Sequence, residues 1–449
     1  MATKTSLQQT ILNTLNQGVP IEPLVAFRVV FGLCMAVGTV RFVWLEWVDH
    51  HFVQPDFLFK YFGFEWVQPA PEWLLYSLHI LLIISALAVA IGWYFKLFAA
   101  LQFLIFTYLE LLDLSYYLNH YYFVSLAALL LFFTPAHRAY SLDVYKGRVG
   151  QTPYIPAWAP FVLKFQIAVV YFFAGIAKIN YDWLVEALPL KIWLPAAAHL
   201  PILGPVLSHE FTPYLFSWVG MLFDCSIPFL LVNSFTRPYA YMLVVVFHVL
   251  TGWLFQIGVF PLVMISGTLI FFSAEFHKRW LRFFANKPTA VLVSSASVLN
   301  RWTALLLCGY ILFQTLFPLR YLLYPGNMFW TEEGYRFSWR VMLMEKAGTA
   351  TFYVKDGNTG REGIVLNEEF LNEHQEKQMA MQPDMILQFA HFLAQHYAQL
   401  GLQNPQVRAE VYVTLNGRPS RLLFDPNLIL NDIKDSWAPK TWLYPPNLK

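Results

Sequence analysis

The stretch YFFAGIAKINYDW, Tyr171 to Trp183, decides how the chain is read. It closes an apolar run that starts near Phe161, and it leaves a single lysine, Lys178, before an asparagine, an aspartate and a tryptophan. The lysine therefore stands where hydrocarbon gives way to water. Two fates suit such a residue. Its ammonium snorkels to the interface, or it lies in a protein pocket where burial disfavours the charged form and leaves a base. The stretch alone favours snorkelling, since lysines near helix ends usually snorkel, and the rest of the sequence reverses that order.

Composition sets the class. The 449 residues are 57% hydrophobic and 13% charged, whereas soluble proteins average about 25% charged. Mean hydropathy is +0.46. This is the make-up of an integral membrane protein. A net charge of +2 with no basic run gives no footprint for nucleic acid. Cys34, Cys225 and Cys308 all fall in apolar segments, so no extracytoplasmic disulfide is expected, and no CxxC or zinc spacing occurs. Residues 1–23 are polar apart from Ile11, Leu12 and Leu15. They are expected to form a short interfacial helix rather than a cleavable signal peptide.

Apolar runs of spanning length, or slightly short of it, lie near 24–45, 73–95, 97–112, 118–135, 161–178, 213–233, 238–256, 258–273 and 303–323. The expected architecture is mainly α: a polytopic helix bundle of about nine spans over 24–325, followed by an extracytoplasmic α+β domain over 326–449. With the N-terminus cytoplasmic, eleven Lys and Arg, from Lys4 and Lys96 through Lys287 and Arg301, fall on the inner connections. Only Lys60 and Lys191 fall on the outer ones, with Lys178 set aside at a helix end. That imbalance fixes the expected orientation.

In this topology the fifth span runs outward to Lys178. The fourth begins at LNHYY, which puts Asn119 and His120 at the same outer face, with Glu110 and Asp113 on the preceding connection. His120 reads either as an interfacial histidine bonded to a carbonyl or as a proton-handling group. Arg28, one turn into the first span, is expected to snorkel to the cytoplasmic side. Asp224 and His248 lie mid-span and need partners, as a pair with each other or as the lining of a cavity.

Past the last span the chain becomes polar enough to fold in water. Ala350–Val354 and Glu362–Val365 flank DGNTG, and Ala409–Leu415 and Ser420–Phe424 flank Asn416-Gly417, a type I′ hairpin signal. Between them, Asn367–Leu400 has helical spacing, divided by Pro383. WTEEGYRFSWRVM, Trp330 to Met342, joins membrane and domain and is expected over the outer mouth of the bundle. No dinucleotide, Walker, HExxH or GxSxG motif occurs, and no internal repeat is evident.

Taken together, FRVVFG (27–32), LNHYY (118–122), the opening stretch, FHVLTGWLFQIGVF (247–260), WTEEGYRFSW (330–339), FDP (424–426) and SWAP (436–439) resemble the vitamin K-dependent gamma-glutamyl carboxylase family with its HTTM transmembrane domain. The order of these motifs over nearly the whole chain carries the resemblance. It implies that Lys178 is the base that deprotonates vitamin K hydroquinone, assisted by His120 and Asn119. It assigns Tyr335, Ser338 and Trp339 to the glutamate substrate, and Met342 and His248 to the quinone. The implied reaction consumes the hydroquinone, O2 and CO2 without a metal. It leaves the epoxide and converts glutamate to gamma-carboxyglutamate in a peptide or protein, within a membrane whose lipid admits the quinone. Two positions depart from the animal enzymes: Ala177 stands where they carry a second lysine, and Met344 where they carry a histidine. The sequence ends at Lys449, short of their C-terminal portion, and their disulfide is not expected. A bacterial inner membrane is the expected location. Quinol epoxidation without peptide carboxylation, and a non-enzymatic lipid-binding or receptor role, are the competing readings.

Overall fold

The computed structural model describes residues 7–201, 203–255, 257–282 and 299–446. Lys4 and Lys287 from the basic count, and Gln256 at the end of the seventh expected span, lie outside the described residues. The N-terminal helix α1 (Leu7–Asn16) forms as expected. Leu12 and Leu15 rest on the core of the bundle while Ile11 stays exposed. A short strand, β1 (Gly18–Pro20), then pairs antiparallel with β2 (Tyr154–Pro156).

The bundle is built from α2 (Glu22–Trp44), α3 (Glu72–Ile91), α4 (Phe95–Glu110), α5 (Asn119–Phe133), α6 (Trp158–Ala177), α7 (Thr212–Val232), α8 (Arg237–Phe255), α9 (Phe260–Gly267), α10 (Ala274–Leu281) and α11 (Arg301–Leu316). Among the described residues six helical stretches are long and apolar enough to cross a membrane: α2, α3, α6, α7, α8, and α11 with its 3-10 continuation to Leu323. The nine expected spans are not all recovered at that length. Helices α4 and α5 have 16 and 15 residues, so each reaches only about 24 Å against roughly 30 Å of hydrocarbon. The run expected at 258–273 becomes α9 and a 3-10 turn, then bends by 117° into the amphipathic α10. Ser273 caps the start of α10 by accepting from the Phe276 amide, so the chain turns there rather than continuing straight.

Arg28 corrects one expectation. It does not snorkel: it is fully buried and donates to the carbonyls of Ala136, Ala139 and Tyr140. The chain after α5 offers unpaired carbonyls, and a guanidinium fork can serve several at once. Close helix approach depends on small residues. A Cβ on Gly32 would lie 2.6 Å from the Ala86 carbonyl, which is why α2 can lie directly along α3.

The C-terminal domain is a four-stranded antiparallel sheet in the order β4 (Glu362–Ile364), β3 (Lys346–Lys355), β5 (Gln406–Leu415), β6 (Arg421–Leu422). Both expected hairpins form, and Asn416 and Gly417 take φ of 53° and 74°, as the I′ turn requires. The helical region divides where Pro383 predicts. Helix α12 (Glu373–Met379) opens with an Asn372–Gln375 capping box, and α13 (Pro383–Gln399) starts on the proline. Phe352, Phe389, Leu393 and Val411 fill the core between helices and sheet.

Buried polar contacts clasp this domain to the bundle. Gln375 donates to the Asp113 carboxylate (2.7 Å) and to the Phe57 carbonyl (2.9 Å). The Gln388 amide exchanges two hydrogen bonds with the Lys60 backbone. Arg418 holds Asp182 through both carboxylate oxygens, at 2.8 and 2.7 Å.

Candidate active site

The opening stretch folds into a device for holding one amine. Helix α6 ends at Ala177, and Lys178 occupies its C-cap. The next residues fasten the end. Asn180 caps the following turn and donates to the Ala177 carbonyl, Asp182 carries the Arg418 clasp, and the Trp183 indole donates to the Ser217 carbonyl at 2.9 Å. Three residues before the lysine, a Cβ on Gly175 would meet the Cys225 amide at 2.6 Å. Only glycine lets α6 and α7 touch here, and that contact brings Asp224 against Lys178.

The Lys178 ammonium position lies 2.7 Å from Asp224 Oδ2 and 3.2 Å from the Ala174 carbonyl, with the Trp183 ring 5.4 Å away. Lys178 is 6% exposed and Asp224 4%. The amine thus faces neither open water nor lipid. The expectation of an amine conditioned by burial alone is corrected, because it has a carboxylate partner. Asp224 was singled out as a charge needing a partner, and the sequence offered His248 for that role. Instead His248 accepts from or donates to the Tyr171 hydroxyl through Nε2 at 2.8 Å, and its Nδ1 has no partner among the described residues.

Lys178, Asp224, His248 and Met342 line one cavity of about 90 Å3, walled by Val170, Ala174, Phe216, Phe247 and Phe255. His120 lies elsewhere. With Asn119, Tyr335 and Met342 it lines a larger cavity of about 830 Å3 at the junction of bundle and C-terminal domain. Ile257, Phe260, Val341 and Met342 line both cavities and form the partition between them. The Phe260 ring sits 5.3 Å from His120 and 5.7 Å from His248. Asn119 works on the backbone: its amide donates to the Arg340 carbonyl at 2.7 Å and its Oδ1 accepts from Tyr117. Glu110, expected on the outer face, lines a smaller cavity of about 100 Å3 on the other side of His120.

The segment 330–342 lies over these cavities in a strained backbone. Glu332, Phe337, Trp339 and Met342 all take positive φ, between 51° and 60°. Two ion pairs hold it down, Arg336 with Asp384 and Lys346 with Glu332, the latter at 2.8 Å. Burial works against the Arg336 charge, yet Asp384 raises the guanidinium above its ordinary value. Of the three residues expected to meet glutamate, only Tyr335 lines a cavity. The Ser338 hydroxyl is consumed by the Gly334 and Tyr335 carbonyls, and Trp339 is fully buried, stacked on Tyr122. Met344 packs into the core of the C-terminal domain. Among the described residues no group of three or more His, Cys, Asp or Glu side chains is placed to hold a metal ion.

Sequence reasoning missed Arg340, which lines the larger cavity. Nothing in its neighbourhood of aromatic and polar residues distinguished it from a surface arginine.

Comparison with known proteins agrees with this architecture. Residues 16–276 match the family model of the HTTM domain. Residues 299–449 match that of the vitamin K-dependent gamma-carboxylase, lumenal domain. No solved structure matches the chain. With both domains in order, and six helices among the described residues long and apolar enough to cross a membrane, the chain is a multi-pass membrane protein that belongs to the HTTM-domain family of vitamin K-dependent gamma-carboxylases.

Proposed function

We propose that the protein is a membrane carboxylase that oxidises a reduced vitamin K with O2 and carboxylates peptide glutamate with CO2. The carrying observation is the buried Lys178–Asp224 pair at the wall of an aromatic cavity. That cavity suits a naphthoquinone, with apolar walls for the ring and polar groups at two places for its oxygens. Lys178 and Asp224 are one such place, and His248 with its unpartnered Nδ1 is the other. When bound, the reduced quinone supplies, with O2, the strong base that glutamate deprotonation needs.

The residues of this chain handle the protons. The proton of the quinol hydroxyl passes to the Lys178–Asp224 pair, whose Nζ and Oδ2 share a hydrogen bond of 2.7 Å. After transfer, the ammonium remains solvated by Asp224 and the Ala174 carbonyl. Phe216, Phe247, Phe255 and Phe260 exclude water from the site. His120, on the far side of Phe260, handles protons in the larger cavity. The domain division at 24–325 and 326–449, the cytoplasmic N-terminus and the extracytoplasmic C-terminal domain belong to the same reading. They put peptide entry on the side of the larger cavity, in a membrane of bacterial inner-membrane type.

A second reading, quinol epoxidation without peptide carboxylation, is favoured by Ser338, Trp339 and Met344, none of which lines either cavity. Purified protein incubated with menaquinol, O2, labelled CO2 and a glutamate-rich peptide separates the two. Label in the peptide is expected, and epoxide without label would select the second reading. Lys178→Ala is expected to lower epoxide formation by roughly 10²–10⁴-fold, with partial rescue by added amines. Unchanged epoxide yield in the folded variant would remove Lys178 from the chemistry.

A further inference from the structure

Arg340 is 6% exposed, and its guanidinium lies 4.2 Å over the Tyr321 ring. Its Nε has no hydrogen-bond partner among the described residues. Nor does Arg340 take part in any of the ion pairs found among them. A guanidinium keeps its charge at all physiological pH, and a buried charge without a counter-ion is costly. The fold nevertheless fixes it. Asn119 holds the Arg340 carbonyl, and the strained residues Trp339 and Met342 flank it.

Arg340 also lines a separate cavity of about 240 Å3 with Glu333, whose carboxylate accepts from the Lys440 amide. Arg41, His50, His51, His120 and His374 line the 830 Å3 cavity with Arg340, and no Asp or Glu does. Tyr335 lines the same wall, and Met342 opens onto the Lys178 cavity beyond. We infer that Arg340 anchors a carboxylate in this cavity, namely the side-chain carboxylate of a peptide glutamate. The guanidinium fork matches a carboxylate in two parallel hydrogen bonds, and the large cavity admits a peptide segment where a closed pocket would not. Arg340 thereby takes the role that Ser338, Trp339 and Met344 do not reach. The choice of glutamate rests on the carboxylase reading, whereas the requirement for an anion rests on the cavity alone.

The test is binding. Full-length protein in nanodiscs is titrated with a fluorescein-labelled glutamate-containing heptapeptide and with its glutamine counterpart. The glutamate peptide is expected to bind at least about tenfold more tightly, the range for a charge-assisted hydrogen bond. Arg340→Gln is expected to abolish that preference, while Arg340→Lys retains part of it. Persistence of the full preference in Arg340→Gln would overturn the assignment. Should Arg340→Gln not fold, competition on the wild type decides. N-acetylglutamate amide is expected to displace the peptide and N-acetylglutamine amide is not, and equal displacement would overturn it. Displacement by bicarbonate with no glutamate preference would also overturn it, giving the anion site to a different ligand. Epoxide formation is measured in the same preparation. A glutamate preference without epoxide would sink the carboxylase reading and leave Arg340 as the anchor.

Discussion

On one side of Phe260 a buried cation, Lys178, meets a buried carboxylate at 2.7 Å. On the other side Arg340, just as buried, meets none among the described residues. The first cavity is about 90 Å3 and walled by aromatic rings, and the second is about 830 Å3 and ringed by arginine, histidine and tyrosine. A charge that is paired internally needs no ligand and is free to exchange a proton with one. A charge left unpaired is compensated only by what binds. The two cavities therefore suit different guests: a neutral quinol that gives up a proton, and an anion that keeps its charge.

The pairing is open to direct attack. Asp224→Asn leaves the lysine without its counter-ion, and the expected loss of stability is about 3–5 kcal/mol. Replacing both partners, Lys178→Met with Asp224→Leu, is expected to recover most of it, because no buried charge remains. Thermal unfolding in detergent reads both variants. A double variant as unstable as the single one would mean that the pair is not the source.

A third carboxylate, in the wall of the separate 100 Å3 cavity, sharpens the contrast. Asp113 accepts from Gln375 and from the Ser115 amide, and burial pushes its carboxyl from the ordinary 3.8 up to about 6. Between those values the folded chain holds a proton that the unfolded chain has released. The stability it contributes is therefore complete below 3.8 and lost as pH rises through about 6. Relative to Asp113→Asn, wild type is expected to lose on the order of 3 kcal/mol from pH 4 to pH 7. Denaturant melts across that range check it, and a constant difference would dismiss the effect.

The smallest effect is steric. Gly175→Ala forces α6 and α7 apart at the Cys225 amide, at a cost of about 1–3 kcal/mol. It should also lengthen the Lys178–Asp224 contact and slow epoxide formation. Normal turnover in a destabilised Gly175→Ala protein would separate the helix contact from the chemistry.

Much of this was legible in the sequence, for identifiable reasons. The six long helices were visible as apolar runs, and the C-terminal hairpins as alternating strands around DGNTG and Asn416-Gly417. Pro383 marked the start of α13 because proline suits a first helical turn. The short helices α4, α5 and α9 were less legible, because apolarity persists through bends that capping and tertiary contacts impose. Arg28 misled for a related reason. Its position near a span end suggested water, but the carbonyls of Ala136, Ala139 and Tyr140 that it serves lie more than a hundred residues away in the chain.

By itself the sequence determined that the chain crosses a membrane repeatedly, that an α+β domain follows, and that Lys178 stands at the end of a helix facing an unusual setting. Hydropathy, turn chemistry and motif order are local properties, and local properties survive in one dimension. Which carboxylate meets that lysine, which residues reach a cavity and which turn away, was decided only in three dimensions. Asp224 is 46 residues from Lys178, and the contact exists because Gly175 lacks a Cβ where two helices cross. Arg340 became notable only when the folded chain buried it in the wall of a cavity that no Asp or Glu lines.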